Sequence, residues 1–244
     1  MSTRSDRPAA EVPARRSLLV YQALISYLFV VKVVLSLASV EGIAASQDAL
    51  FSWPLLGVLA LAGGISVWLE PRTGLAGFWD PGISTRKRLL LPALVGLGFG
   101  AIMLAVQARS GFVQTVAAAA KVSSINVEFP ASLLFYSAGA IILESLYRLI
   151  LITLPLWLIS NVILRKRGRN PVFWILALVT SALEPAGQVG FLAGHLDLIV
   201  VIGGLTFGVN VFEAHLFRRY GFLAPLAFRL AYYAVWHVVG GALG

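Results

Sequence analysis

The sequence predicts an all-α, polytopic transmembrane bundle of seven spans, and three observations carry that prediction. Hydrophobic residues make up 59% of the 244-residue chain and charged residues only 12%, whereas soluble domains carry about 25% charged residues. Mean hydropathy is +0.86, and several apolar runs reach the roughly 20 residues needed to cross a bilayer. The basic residues are also sorted by side. With the N-terminus inside, 14 of the 19 Lys and Arg fall in inner segments, two in outer segments (Arg109 and Lys121) and three within spans (Lys32, Arg148 and Arg229). Such asymmetry orients a membrane protein. It accounts for the net charge of +8 and leaves no basic patch for nucleic acid.

Taken in order, residues 1–16 are polar, basic and Pro-containing with no apolar core. They predict a disordered basic cytoplasmic tail and no cleavable signal peptide. Spans follow at 18–40, 49–69 and 88–108, with "WDPG" at 79–82 as a turn. Lys32 sits near the middle of the first span, where reaching water is hard. The weakly apolar segment 109–130 is expected to lie along the outer interface, or to re-enter and make an eighth span. Residues 131–164 would form about 51 Å of helix, against a hydrocarbon core of about 30 Å. That predicts one tilted or protruding helix with a kink at Pro155. Spans at 171–192, 197–216 and 221–242 complete the set. The chain thus divides into the tail, an N-terminal three-span region at 17–130 and a core at 131–244. Cysteine is absent, which excludes disulfides and thiolate chemistry.

The polar residues inside spans are the functional candidates, because charge within hydrocarbon costs a few kcal/mol at least. Glu144 and Arg148 stand at i and i+4 and share one helix face. They form either an intrahelical ion pair or a carboxylate, held by Arg148, that activates water. Phe191 and His195 repeat the i, i+4 spacing near the end of the fifth span. Glu184 precedes Pro185. Gly204 and Gly208 predict a close-packing helix face. Glu213 and His215 read as interfacial. In the last span Arg229, Tyr233 and His237 form a stripe. Arg229, about 12 Å from the inner end by helical rise, is shallow enough to snorkel. Counted the same way, Glu144, His195 and His237 fall in the outer half.

These residues, in this order, resemble the CPBP family of intramembrane proteases (CAAX proteases and bacteriocin-processing enzymes, also termed Abi). The resemblance covers roughly 131–240. Against the family's EExxxR motif the chain reads Leu143-Glu144-Ser145-Leu146-Tyr147-Arg148, with Leu143 in place of the first Glu. Phe191 and His195 meet FxxxH. After Ala224-Pro225 the family's HxxxN positions hold Arg229 and Tyr233, and the nearest histidine is His237. The resemblance implies hydrolysis of a membrane-associated protein or peptide by a Glu144-activated water, with Arg148, His195 and His237 assisting, in the bacterial plasma membrane. It implies either a glutamate mechanism without a cofactor or a divalent metal such as zinc, bound by Glu144, His195 and His237. Because the motifs are incomplete, two alternatives stand beside it: an inactive CPBP-fold scaffold or immunity protein, and a small transporter that uses the same buried charges.

Overall fold

A computed structural model describes residues 11–37, 50–121 and 126–243. Those residues form eight helices and no strand. They are α1 (Glu11–Leu37), α2 (Trp53–Thr73), α3 (Arg86–Ser110), α4 (Phe112–Ala120), α5 (Ala131–Ile163), α6 (Arg169–Leu192), α7 (Leu196–Tyr220) and α8 (223–243). Six of them, all but α4 and α8, are long and apolar enough to cross a membrane. Exposed Leu, Ile, Val and Trp side chains cover their outer faces. The protein is therefore an integral membrane helical bundle.

Most predicted spans coincide with helices, and several details differ. Helix α1 already begins at Glu11, so residues 11–16 are helical rather than part of a disordered tail; residues 1–10 lie outside the described residues. The segment 109–130 contributes the nine-residue α4, about 14 Å long and too short to cross. It packs on the end of α6 at 190–192, and Phe112 lies over Trp236 with centroids 6.5 Å apart. Helix α5 is one continuous helix of 33 residues that runs on through Pro155. Two wide π-type turns interrupt its α-helical winding, at Ser145–Ile150 and Trp157–Ile163.

Helix α8 occupies the middle of the bundle, against α3, α5 and α7. Its close approach to α3 depends on glycine. A Cβ at Gly100 would lie 2.7 Å from Val235 Cβ and 2.9 Å from the Tyr232 carbonyl oxygen, and one at Gly96 would meet the Phe228 carbonyl. The expected close-packing glycines of α7 behave differently: a Cβ at Gly204 or Gly208 would meet nothing within 4 Å. The small-residue contact lies one helix pair away from where the α7 pattern suggested.

The basic end of the bundle is closed by the loop between α2 and α3. Glu70 is fully buried in α2 and accepts the Phe78 N–H at 2.8 Å. Phe78 thereby stacks on Phe222, with centroids 4.6 Å apart, and meets the edge of Tyr21. Asp80 caps the predicted turn by accepting the Gly82 N–H at 2.8 Å. Arg88 lies buried beneath it, bonded to the Asp80 and Ile83 carbonyls.

Candidate functional site

Five charged side chains from four helices meet in the core: Glu144 and Arg148 from α5, Glu184 from α6, Glu213 from α7 and Arg229 from α8. Glu144, Arg148 and Glu213 have no exposure at all, and Arg229 has 1%. Only Glu184 reaches the periphery, with 16% of its side chain exposed. Helix packing, not local sequence, assembles the group, since its members are separated by up to 85 positions.

Arg229 is the hub. Its Nε donates to Glu144 Oε1 at 2.6 Å. Its Nη1 faces Glu184 Oε2 at 3.2 Å and donates to the Tyr233 hydroxyl at 3.0 Å. Its Nη2 donates to Glu213 Oε2 and, at 3.2 Å, to Asn210 Oδ1. A guanidinium offers five N–H donors in a rigid plane, which is why one Arg can bridge three carboxylates. Arg148 supports the same acceptors, donating through Nη2 to Asn210 Oδ1 at 2.5 Å and to Glu213 Oε2 at 3.1 Å. Asn210 links the two sides, its Nδ2 donating hydrogen bonds to Glu184 Oε2 at 3.0 Å and to the Thr206 carbonyl at 2.9 Å.

The expected Glu144–Arg148 pair is present but is the loosest ion pair of the set, with Nε and Oε2 3.8 Å apart. The reason is local. Arg148 lies in the wide turn Ser145–Ile150, where residues four apart are no longer stacked one above the other. Each partner turns instead to another helix, Glu144 to α8 and Arg148 to α7.

The other two predicted site residues lie elsewhere. Helix α6 tightens to a short 3₁₀ turn at Gly190–Leu192, so Phe191 and His195 do not share a continuous α-helical face. His195 is exposed at the start of α7, where its carbonyl accepts the Ile199 N–H at 3.0 Å. His237 is half-buried in an aromatic nest. It stacks on Tyr136 with centroids 4.3 Å apart, and its Nδ1 lies 3.1 Å from Asn126 Oδ1. Tyr233 separates it from the charges, touching His237 with its ring and Arg229 with its hydroxyl. Glu144, His195 and His237 therefore do not converge, and no group of three potential ligands among the described residues could hold a metal ion. The residues present do not fit the implied zinc.

Two further expectations are corrected. Arg229 does not snorkel, because three carboxylates hold it inside. Glu213 is not interfacial, because its helix turns it inward onto both guanidiniums. Asn210, which sequence reasoning missed, sits three residues before Glu213 and hence on the same face of α7. A polar pair at that spacing inside an apolar helix was the available signal.

Compared with known proteins, the chain matches no family model, no curated protein and no solved structure.

Proposed function

We propose that this chain is a non-catalytic integral membrane protein with a CPBP-like core, a scaffold or immunity factor that engages a membrane-associated protein or peptide without cleaving it. The observation that carries this reading is the 2.6 Å contact from Arg229 Nε to Glu144 Oε1. Hydrolysis needs a general base within reach of the water it deprotonates. Here the carboxylate assigned that task is wholly buried and committed to a guanidinium. Against the motifs of the family the chain resembles, Arg229 stands where a histidine is expected and Leu143 where the first glutamate is expected. The charge asymmetry supports a cytoplasmic N-terminus, and a bacterial plasma membrane is the setting we infer from the resemblance.

The test uses purified protein in liposomes with transmembrane and lipid-anchored peptides, and mass spectrometry of the products. The expected outcome is no cleavage, with Glu144→Gln and His195→Ala indistinguishable from wild type. Cleavage by the wild type that Glu144→Gln abolishes would overturn the proposal.

One observation favours the peptidase as a second reading. Glu144 Oε2 is buried without a hydrogen-bond partner. A water there would be in contact with a carboxylate on the helix that carries the family-like motif. The same assay separates the two readings.

A further inference from the structure

A cleft of about 200 Å³ opens between the basic-end termini of α3 and α7. Its polar lining is Lys87, His215 and Tyr220. Its apolar wall includes Leu91, Phe212 and Leu216. Lys87 is one residue into α3 and Tyr220 is the last residue of α7, so these two polar groups stand at the mouth, while His215 lies about 7.5 Å deeper, level with Leu91 and Leu216.

None of the three polar side chains is spent on a hydrogen bond within the described residues. Lys87 is exposed, His215 is engaged only by ring stacking on Trp174, and Tyr220 only by the Arg219 guanidinium 5.5 Å over its ring. Three groups able to donate thus converge on one cleft. Arg86 and Arg219, both exposed, flank it. The neighbouring Leu90 and Leu94 are more than half exposed, so the cleft is continuous with the lipid-facing surface.

We infer that this cleft is a binding site for one anionic phospholipid of the leaflet at the basic end. The phosphate accepts from Lys87, His215 and Tyr220, and an acyl chain lies along Leu91, Phe212 and Leu216. Charge selects the ligand, since nothing acidic lines the cleft and basic pockets between transmembrane helices suit anionic headgroups. The site is independent of the charged cluster and of whether the protein cleaves anything.

The experiment is native mass spectrometry of the full chain, delipidated in detergent and titrated with phosphatidylglycerol or phosphatidylcholine. The expected result is a single retained phosphatidylglycerol in preference to phosphatidylcholine. Lys87→Gln should weaken it about fivefold, the equivalent of about 1 kcal/mol for one basic residue near an anionic surface, and Lys87→Gln with Tyr220→Phe should weaken it further. Arg109→Gln, at the other end of α3, should leave it unchanged. Undiminished phosphatidylglycerol preference in the double variant would overturn the assignment. So would equal loss in Arg109→Gln, or displacement of the lipid by inorganic phosphate. Both substituted side chains lie at the cleft mouth, and matching thermal unfolding of variants and wild type shows that any lost binding is not lost folding.

Discussion

Arg229 Nε and Glu144 Oε1 are 2.6 Å apart, although 85 positions separate the two residues in the chain. That contact ties α8 to α5. Through the rest of its guanidinium the same side chain reaches α6 and α7. The core is therefore fastened by charge where most helix bundles in lipid rely on close packing and small residues.

Removing the hub should be severe. Arg229→Leu leaves three carboxylates facing Arg148 alone. Breaking a buried ion pair by deleting one partner costs about 3–5 kcal/mol. Arg229→Lys should lie between Leu and wild type, since an ammonium keeps the charge and loses the planar fork. Thermal unfolding in detergent, followed by size-exclusion chromatography, reads both. A variant Arg229→Leu as stable as wild type would refute the hub role.

Glu184→Gln should be mild, within about 1 kcal/mol of wild type, because the residue is the least buried member of the cluster and the amide keeps a hydrogen-bonding side chain in place. The substitution also leaves two carboxylates against two guanidiniums. The amide oxygen still accepts from Arg229 or Asn210. A loss as large as that of Arg229→Leu would show that Glu184 is as deeply engaged as Glu144.

Two glycine substitutions should separate the helix contacts. Gly100→Ala drives a methyl into Val235 and the Tyr232 carbonyl, and overpacking of this kind costs about 1–3 kcal/mol. Gly204→Ala meets open space and should be neutral, or stabilising by up to about 1 kcal/mol from helix propensity. Equal melting temperatures for the two variants would contradict the α3–α8 contact.

Glu70→Ala frees the Phe78 N–H inside the basic end. An unpaired buried donor costs about 1–3 kcal/mol, and the loop carrying Phe78 loses its anchor. Limited proteolysis should then cut between residues 74 and 85 sooner than in wild type. An unchanged cleavage pattern would show that the aromatic stack holds the loop by itself.

What the sequence revealed follows the range of each signal. Hydropathy is local, so the spans ending in α1 to α3 and α5 to α7 were legible from runs of residues. The length of α5 was legible as well, because the one proline inside it, Pro155, was expected to kink the helix rather than end it, and the helix runs on through it. Depth was less legible. Counting rise along straight, separate helices put Arg229 and Glu144 in opposite halves of the membrane, but α5 is about 50 Å long with two wide turns, and a guanidinium has a long reach. The site was half legible. Glu144 and Arg148 stood out because charge in an apolar run is unusual, yet their partners Asn210, Glu213 and Arg229 lie on other helices, and no pattern within one helix says which helices will meet. His195 was favoured by the FxxxH motif and His237 as the histidine nearest the last family motif, and the fold puts each in other company.

The same wiring has a consequence for how the protein is made. Helix α8 is not among the six helices that are apolar enough to cross a membrane, and Arg229, nearly two turns in from its start, opposes insertion by up to about 2.5–3.5 kcal/mol, the cost at a helix centre. A ribosome releases the chain from its N-terminus, so α5, α6 and α7 are already in the bilayer when α8 emerges. Their three glutamates then have Arg148 as the single cation among them and await the segment that carries the second. The final helix is recruited by its neighbours rather than by lipid, and a chain cut short before Arg229 would leave three acids to a single guanidinium in the membrane.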